Sequence, residues 1–366
     1  MQDNHVVKKQ LSEDETQDCL NVPVKGNSLS RDAWNRLKKN SMAMGGLIIV
    51  VIYSILALTA PFLPIYSYKK IITEHQNLPP TLTDSAGKLW YQRELTQMQK
   101  VAKKENRGLN EEEKEKLETI KYRIGTDTEI IKGKRVKVHK RRYLLGTDYL
   151  GRDMVARIIY GSQISIAIGF IGTITSFLIG IVLGALAGYL GGKTDYVIMR
   201  IVDVMYGLPY MLLVIIFMAI FGRNIMNMFL ALAVVSWLTI SRVVRGQIIT
   251  LKNSEFVEAA KSMGAGTSRI VFKHLVPNSL GIIIVFATLR IPQFIMMESF
   301  LSFLGLGISA PYASWGSLVK DGVDSMTIYP WRLFFPAVAM TLFLFCMNFL
   351  GDGLQDAFDP QSKNKL

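Results

Sequence analysis

Two ionisable residues fall inside a long apolar run, where charged side chains are rare. Arg290 and Glu298 both lie in the segment Leu280–Leu304, with Arg290 near its middle. A charge at membrane depth is expensive, so such residues usually pair or line a polar path. Their spacing turns a helix by about 80° beyond two full turns, which places both on one side. We predict both as translocation-path candidates. In this interpretation Arg290 faces the path and meets a substrate carboxylate. The alternative is an ion pair between the two residues or with another subunit.

A second chemical pattern runs from Ala187 to Thr194 and satisfies a permissive phosphate-binding motif. A true phosphate-binding loop joins a strand to a helix, so that backbone N–H groups face the phosphate. Here an apolar run of helix length precedes the motif, and we predict that the match is accidental. The histidines are scattered, and Cys19 and Cys346 lie far apart in the chain. The sequence therefore predicts no metal site, no disulfide and no catalytic residue.

The polar segment 248–278 begins with a strong helix-start signal. Ser254 can cap a helix over Ser254–Met263, and acidic residues in its first turns suit the helix dipole. Gly264 and Gly266 then end this helix, because glycine accepts the left-handed backbone found at helix C-termini.

A second short helix is predicted over Thr267–His274, ending before Pro277 because the residue before a proline avoids the helical conformation. Two helices at an angle would leave the small Ala259 and Ala260 exposed between them. We therefore predict a compact knob, defined here as residues 254–277. The alternative is an amphipathic connector that lies on the membrane surface.

Long apolar runs must position these residues. Of the 366 residues, 50% are hydrophobic and only 19% are charged, and the mean hydropathy is +0.26. A spanning helix needs about 20 apolar residues. The segments that approach this length are Met42–Pro64, Ile164–Leu190, Tyr206–Phe221, Ile225–Ile240, Leu280–Leu304 and Leu333–Leu350. The sequence predicts an all-α integral membrane protein with six transmembrane helices.

Basic residues in the short loops favour one orientation. The short loops on one side carry only Arg223, Lys320 and Arg332, and the opposite side is much richer in lysine and arginine. The richer side is the cytoplasmic one, so both termini are predicted inside. The predicted order is a cytoplasmic tail, the first helix, an extracellular insert, a membrane core and a second cytoplasmic tail. Their ranges are 1–41, 42–64, 65–145, 146–356 and 357–366.

The insert, residues 65–145, is strongly charged. We predict helices over Lys88–Lys104 and Asn110–Arg123, separated at Gly108, and Asn110 has capping-box spacing with Glu113. Its basic residues are mixed with acidic ones on the predicted extracellular side, so nucleic acid is not an expected partner. A solvated surface hairpin and a docking surface for an extracellular partner both remain open.

Small residues recur every fourth position along the second apolar segment. They are Gly172, Ser176, Gly180, Gly184, Gly188 and Gly192. Such a stripe lets another helix backbone approach closely, and packing drives helix association in lipid. We predict a helix-packing role for Gly180, Gly184 and Gly188, either within the chain or toward a second subunit.

The knob resembles the cytoplasmic loop of the permease subunits of ATP-binding-cassette importers. That loop has Glu-Ala-Ala, three residues, Gly, nine residues, an aliphatic residue, any residue, Leu and Pro. The residues that fall on this pattern are Glu258, Ala259, Ala260, Gly264 and Pro277. His274 and Val276 depart from it at the aliphatic and Leu places, which are packing positions. The resemblance implies that the part of the knob from Glu258 to Pro277, with Ala265 and Gly266 in its turn, inserts into a cleft of a separate ATPase subunit. Glu258 would then be a docking residue.

Further motifs in the same chain order are similar to those of C-type permeases of the dipeptide, oligopeptide and nickel importer group. They are Leu145–Asp153, Arg200–Asp203, Pro209, Glu298–Gly307, Trp315–Gly316 and Gly351–Pro360. This resemblance covers the first apolar segment and residues 143–360. It implies the type I importer permease fold, in the plasma membrane. The insert is longer than the group leads us to expect, and nothing is implied for it.

The resemblance also implies partners: a homologous second permease subunit, two ATPase subunits that hydrolyse ATP with Mg²⁺, an extracellular substrate-binding protein and the lipid bilayer. The chain itself is expected to bind no cofactor. Dipeptides or oligopeptides are the expected substrates, and nickel chelates and glutathione are alternatives. A secondary transporter driven by an ion gradient would favour internal repeats, broken helices and carboxylates at midplane. A purely structural scaffold would not need the knob.

Overall fold

The computed structural model describes residues 29–63, 65–131, 134–308 and 310–358. Predictions that concern residues 1–28, Pro64 and the C-terminal tail from Asp359 onward lie outside the described residues. Within that part of the chain the helices, numbered in order, are α1 Leu29–Leu37, α2 Ser41–Thr59, α3 Ala86–Lys104, α4 Glu111–Thr126, α5 Met154–Leu190, α6 Gly192–Tyr206, α7 Tyr210–Phe221, α8 Ile225–Leu251, α9 Glu255–Ser262, α10 Thr267–Arg269, α11 Val276–Phe303, α12 Trp315–Val323 and α13 Trp331–Phe358. The strands are β1 Thr128–Ile131 and β2 Lys134–Lys137, which pair antiparallel.

Among the described residues, five helical stretches are long and apolar enough to cross a membrane: α2, α5, α8, α11 joined to α10, and α13. A sixth crossing needs α6 and α7 together, and these two helices are bent by 85° where they meet. The predicted third span, Tyr206–Phe221, is therefore not one helix, because Tyr206 ends α6 and only Tyr210–Phe221 forms α7. Leu208 precedes Pro209, which disfavours the helical conformation, so α6 ends at Tyr206 and α7 starts anew at Tyr210.

The glycine stripe of α5 faces α8 within the same chain. A Cβ added at Gly180 would lie 2.6 Å from the Cβ of Ile240, and one at Gly184 would lie 2.4 Å from the carbonyl oxygen of Ser241. One turn on, a Cβ at Gly188 would lie 2.8 Å from the carbonyl oxygen of Arg245. The two backbones thus approach too closely for any side chain. The predicted packing role of these glycines is therefore a contact within the chain and not one with a second subunit.

The end of the bundle that is predicted to be extracellular is closed by a short helix between the last two spans. Trp315 begins this helix, α12, and is fully buried beside α2 and α13. Its ring centroid lies 5.7 Å from that of Tyr53 on α2 and 5.3 Å from that of Phe343 on α13. Burying these aromatic rings stabilises the contact between the first and last spans.

The insert contains the two predicted helices, α3 and α4. Asn110 and Glu113 form the predicted capping box, with Glu113 N–H donating to Asn110 Oδ1 at 2.8 Å. The left-handed residue between the helices is Asn106, with φ +51°, and not Gly108. The insert is not purely helical, because β1 and β2 follow α4. Trp90 of α3 is buried against His139, at 5.1 Å between ring centroids, and gives the insert its own small core.

Candidate functional site

The first helix of the knob is α9, and Ser254 stands at its N-cap position without capping it. The Ser254 hydroxyl donates instead to the carbonyl oxygen of Leu251, at 2.6 Å, so the predicted side-chain cap is wrong. Its backbone carbonyl does accept from the N–H groups of Val257 and Glu258, which opens the helix. The hydroxyl thereby ties the start of the knob to the end of α8.

The other end of α9 closes as predicted at Gly264, which has φ +76°. Its N–H donates to the carbonyl oxygen of Lys261, and the Ala265 N–H donates to that of Ala260, at 2.9 and 3.0 Å. These two backbone hydrogen bonds form a Schellman motif. A Cβ added at Gly264 or Gly266 would meet open space, so neither position requires glycine for lack of room. Gly264 requires it because of its left-handed backbone conformation, which Gly266 does not have.

The second helix of the knob does not end before Pro277, as predicted, but runs into the fifth span. After α10 the chain forms a π-helix over Ile270–Leu275 and then continues as α11. In this wider turn the Val276 N–H donates to the carbonyl oxygen of Val271, five residues back. Pro277 falls in the first turn of α11, where a missing N–H is tolerated, and so the helix passes through it.

The outer face of the knob is open and its inner face is packed. Glu258, Ala259 and Gly264 are exposed, and the apolar side chain of Met263 is 80% exposed at the tip. Ala260 is only 2% exposed, so the prediction that both alanines are exposed is wrong for this one. It lies on the inner face of α9 and joins a buried cluster. The other knob members of that cluster are Val257, Ile270, Val271 and Leu275.

Two long helices connect the knob to the middle of the bundle. In the chain, the knob lies between the end of α8 at Leu251 and the start of α11 at Val276. Residues Val235–Thr239 of α8 lie about 18 to 24 Å along that helix from Leu251, and Arg290 lies about 21 Å along α11 from Val276. Both places border the same cavity, so a displacement of the knob reaches its walls through two rigid elements.

That cavity has a volume of about 300 Å³ and opens beside the bend between α6 and α7. Its polar lining consists of Tyr206, Tyr210, Ser236, Thr239 and Arg290. The Tyr210 and Ser236 hydroxyl oxygens lie 2.8 Å apart, and the Tyr206 and Thr239 hydroxyls also hydrogen-bond. Among the described residues, Arg290 has neither a hydrogen bond nor an ion pair. The structure thus places this translocation-path candidate at a cavity wall.

Glu298, the second candidate, lies elsewhere. It is fully buried, and its Oε1 accepts hydrogen bonds from the hydroxyls of Ser302 and Ser314, both at 2.6 Å. In the described chain no ion pair joins it to Arg290, so the mutual pair that their spacing allowed does not form. Since Ser314 caps α12, Glu298 fixes the loop after the fifth span onto α11.

A group of buried charges on the predicted extracellular side was not anticipated. This group, the Asp148 cluster, consists of Asp148, Arg152, Arg157, Asp321 and Arg332. Asp148 Oδ2 accepts from Arg152 Nε and from Arg157 Nη1, both at 2.6 Å, and both arginines are almost fully buried. Arg157 Nη1 also lies 3.4 Å from Asp321 Oδ2, and Arg332 donates to the Asp321 carbonyl oxygen at 3.0 Å. The cluster joins α5, α12 and α13 to the end of the insert.

Two of the histidines that look scattered in the sequence meet inside the insert. His75 Nε2 lies 2.8 Å from His139 Nδ1, and His75 Nδ1 lies 2.9 Å from the Tyr143 hydroxyl oxygen. Burial, and secondarily the neighbouring His139 and Arg141, lower the pKa of His75 from 6.5 to about 3. No group of three or more metal-binding side chains occurs among the described residues. This pair is 64 positions apart, and no sequence spacing signals it.

Comparison with known proteins agrees with this architecture. Residues 180–364 match the model of the binding-protein-dependent transport system inner membrane component, and residues 28–80 match that of the N-terminal TM domain of oligopeptide transport permease C. The chain is 38% identical to the dipeptide transport system permease protein DppC of Bacillus subtilis, over 96% of this chain and 92% of that one.

Two further relatives are informative. The oligopeptide transport system permease protein OppC of Bacillus subtilis is 35% identical, over 94% of this chain and 93% of the relative. The glutathione transport system permease protein GsiD of Pectobacterium atrosepticum is 42% identical, over 60% of this chain and 73% of the relative. With the bent third span, the knob and the family match together, the chain belongs to the inner membrane components of binding-protein-dependent transport systems, and it has the type I importer permease fold.

Proposed function

We propose that this chain forms half of the translocation pathway of an ATP-driven importer of dipeptides or oligopeptides. The knob carries this proposal. Its inner face is anchored on α8 and α11, while its outer face exposes Glu258, Ala259 and the apolar Met263 to a partner. These exposed side chains are not packed against the rest of the described chain, so they are available for contact with another protein.

The energy then comes from outside this chain. Two separate ATPase subunits bind ATP with Mg²⁺, and their closure displaces the knob, with Glu258 as a docking residue. The run from Ala187 to Thr194 joins α5 to α6, two helices, and supports no nucleotide site. In this proposal ATP is bound and hydrolysed by the partner subunits, and this chain supplies no cofactor site and no catalytic residue. Alternating access follows as a shift between two conformations that the ATPase contacts differently.

In this proposal the knob and both termini lie in the cytoplasm, and the insert faces outward in the plasma membrane. A substrate-binding protein delivers its solute to the outer surface formed by the insert and α12. A homologous second permease subunit covers the open side of the bundle and completes the pathway.

The substrate class rests on relatives. The two that this chain covers almost completely are named for dipeptide and oligopeptide transport, and a shorter match is named for glutathione transport. Peptides are the class that these names share, because glutathione is itself peptidic. Uptake competition between labelled trialanine, glutathione and nickel chelates in the assembled transporter tests this part of the proposal, and displacement by nickel chelates alone would contradict it.

A secondary transporter remains the alternative that one observation favours. The break between α6 and α7 falls inside a span, and broken spans are frequent in secondary transporters. The two classes differ in energy source. Uptake in proteoliposomes that needs ATP and stops in its absence supports the importer, whereas uptake driven by an ion gradient without the ATPase contradicts it.

The decisive experiment is co-purification of the ATPase subunits with this chain. Replacing Glu258 by Lys reverses a charge on the exposed face of the knob, so we expect the ATPase subunits to be lost and ATP-dependent uptake to fall at least tenfold. Glu118→Lys is the matched control, since Glu118 is an exposed acid on α4 in the insert. Unchanged co-purification of Glu258→Lys, or equal loss in both variants, would contradict the proposed docking role.

A further inference from the structure

The cavity beside Arg290 lies at the middle depth of the bundle. Arg290 is midway along α11, Val235–Thr239 lie near the middle of α8, and the third wall is the break between Tyr206 and Tyr210. A break in a spanning helix exposes backbone polar groups, and these are tolerated in a membrane only where they line a cavity or are buried in protein. Three elements therefore converge on one polar space far from either membrane surface.

The hydroxyl groups of this cavity already have partners. Tyr210 pairs with Ser236 and Tyr206 pairs with Thr239, which joins the bent span to α8. Arg290 differs from them, because in the described part of the chain its guanidinium has no hydrogen-bond acceptor and no carboxylate. Its nitrogen atoms are not sealed from the cavity, since the residue is only half-buried.

Two acids on the helices that form the cavity, Asp203 of α6 and Glu298 of α11, already have partners. Asp203, one turn before Tyr206, accepts from Arg242 at 2.6 Å, and the Arg242 guanidinium lies 4.2 Å from the centroid of the Tyr206 ring. Glu298 is held by two serine hydroxyls. The cavity therefore has a net positive charge, which is costly at membrane depth unless an anion enters.

We propose that Arg290 binds the C-terminal carboxylate of a peptide in transit, an inference that rests on the proposed function. A guanidinium matches a carboxylate in a planar, two-point hydrogen-bonded pair. A volume of about 300 Å³ holds the end of a peptide rather than a long chain. The site therefore recognises the C-terminus and makes no selection among the remaining side chains. The helices α8 and α11, which connect the knob to the cavity, can then open or close this site during the cycle.

The test uses the assembled transporter in proteoliposomes, with the binding protein preloaded to saturation with either trialanine or trialanine amide. Loss of a charge-assisted hydrogen bond lowers the rate by about tenfold or more. We expect wild type to import trialanine at least tenfold faster than its amide. Arg290→Gln should lower trialanine uptake to the rate of the amide and leave amide uptake unchanged, and Arg290→Lys should retain part of the preference.

Gln293→Ala is the matched control, because Gln293 is an exposed polar residue one turn further along α11 and does not line the cavity. This variant should keep the wild-type preference. Equal loss of acid and amide uptake in Arg290→Gln would show that Arg290 instead pairs with an acid of the second permease subunit, and equal rates for both peptides in wild type would also overturn the inference. Absence of any ATP-dependent uptake by wild type would overturn the proposed function and this inference with it.

Discussion

The knob, at the predicted cytoplasmic end of the bundle, and the Asp148 cluster, at the predicted extracellular end, have polar groups with different surroundings. In the cluster every carboxylate lies against a guanidinium, and Asp148 accepts four hydrogen bonds although it is almost fully buried. In the knob Glu258 is exposed, and no hydrogen bond of its side chain occurs within the described chain. The carboxylates of the cluster are paired within one molecule, whereas the Glu258 carboxylate of the knob is available for contact with another molecule.

This difference separates residues that stabilise the fold of the permease from residues that would contact the proposed ATPase subunits. Buried charges that satisfy each other become expensive as soon as one of them is removed. Exposed groups on a packed base contribute little to the fold, and they are free to gain or lose a partner during a cycle. Substitutions should therefore affect stability at the outer end and coupling at the inner end.

The largest effect on the fold is expected at Asp148. Asp148→Ala leaves Arg152 and Arg157 buried beside each other without their shared carboxylate, and breaking a buried ion pair in this way costs about 3–5 kcal/mol. Amide hydrogen exchange of peptides from residues 65–157 in the purified chain should accelerate by about a hundredfold or more. Asp84→Ala, which removes a surface pair with Lys88, should leave the exchange unchanged. Similar rates in both variants would show that the cluster does not hold this region.

The next effect comes from pH acting on His75. Its pKa is about 3 in the fold, against 6.5 in an unfolded chain, so the insert has full stability above pH 6.5 and loses stability as the pH falls toward 3. With about 1.4 kcal/mol for each pH unit, the loss reaches about 3 kcal/mol at pH 4. Hydrogen exchange of the insert should accelerate over this range, and His75→Asn should remove most of the pH dependence. A pH-independent insert in the wild-type chain would contradict the buried neutral histidine.

How much the sequence predicted differs between the same two ends. The knob depends on local signals, since the left-handed glycine at Gly264 and the spacing from Glu258 to Pro277 are all read within a short segment. The predicted spans were located by hydrophobic run length, which is equally local. The predicted Ser254 cap is wrong because the Ser254 hydroxyl donates to the carbonyl oxygen of Leu251. The predicted break before Pro277 is wrong because a π-helix continues the chain from Ile270 into α11.

The outer end depends on contacts between residues far apart in the chain. Asp148 is part of a recognisable motif, but Asp321 and Arg332 join it from α12 and α13, more than 160 positions later. His75 and His139 are likewise brought together only by the folding of the insert. A single sequence contains no periodicity or spacing that reports such pairs, and the bend at Pro209 was visible only as one proline in an apolar run.

The smallest effect on the fold, and the sharpest contrast with Asp148, is expected at Gly264. Gly264→Ala forces a side chain into a left-handed conformation at a cost of about 1–2 kcal/mol, which is confined to the end of α9 because nothing else touches the new Cβ. The exposed face of the knob then loses its fixed shape, so the ATPase subunits should co-purify in lower yield and ATP-dependent uptake should fall several-fold.

Gly266→Ala supplies the matched control for this prediction. Gly266 has φ −69° and equally open surroundings, so alanine is accepted there without strain. Hydrogen exchange of the peptides from residues 65–157 should stay at the wild-type rate in both variants, because the strain at Gly264 does not reach the Asp148 cluster. Equal uncoupling of the ATPase by Gly266→Ala and Gly264→Ala would contradict this prediction. The two glycines would then act by leaving space for the partner, and the backbone turn at Gly264 would not be what the partner recognises.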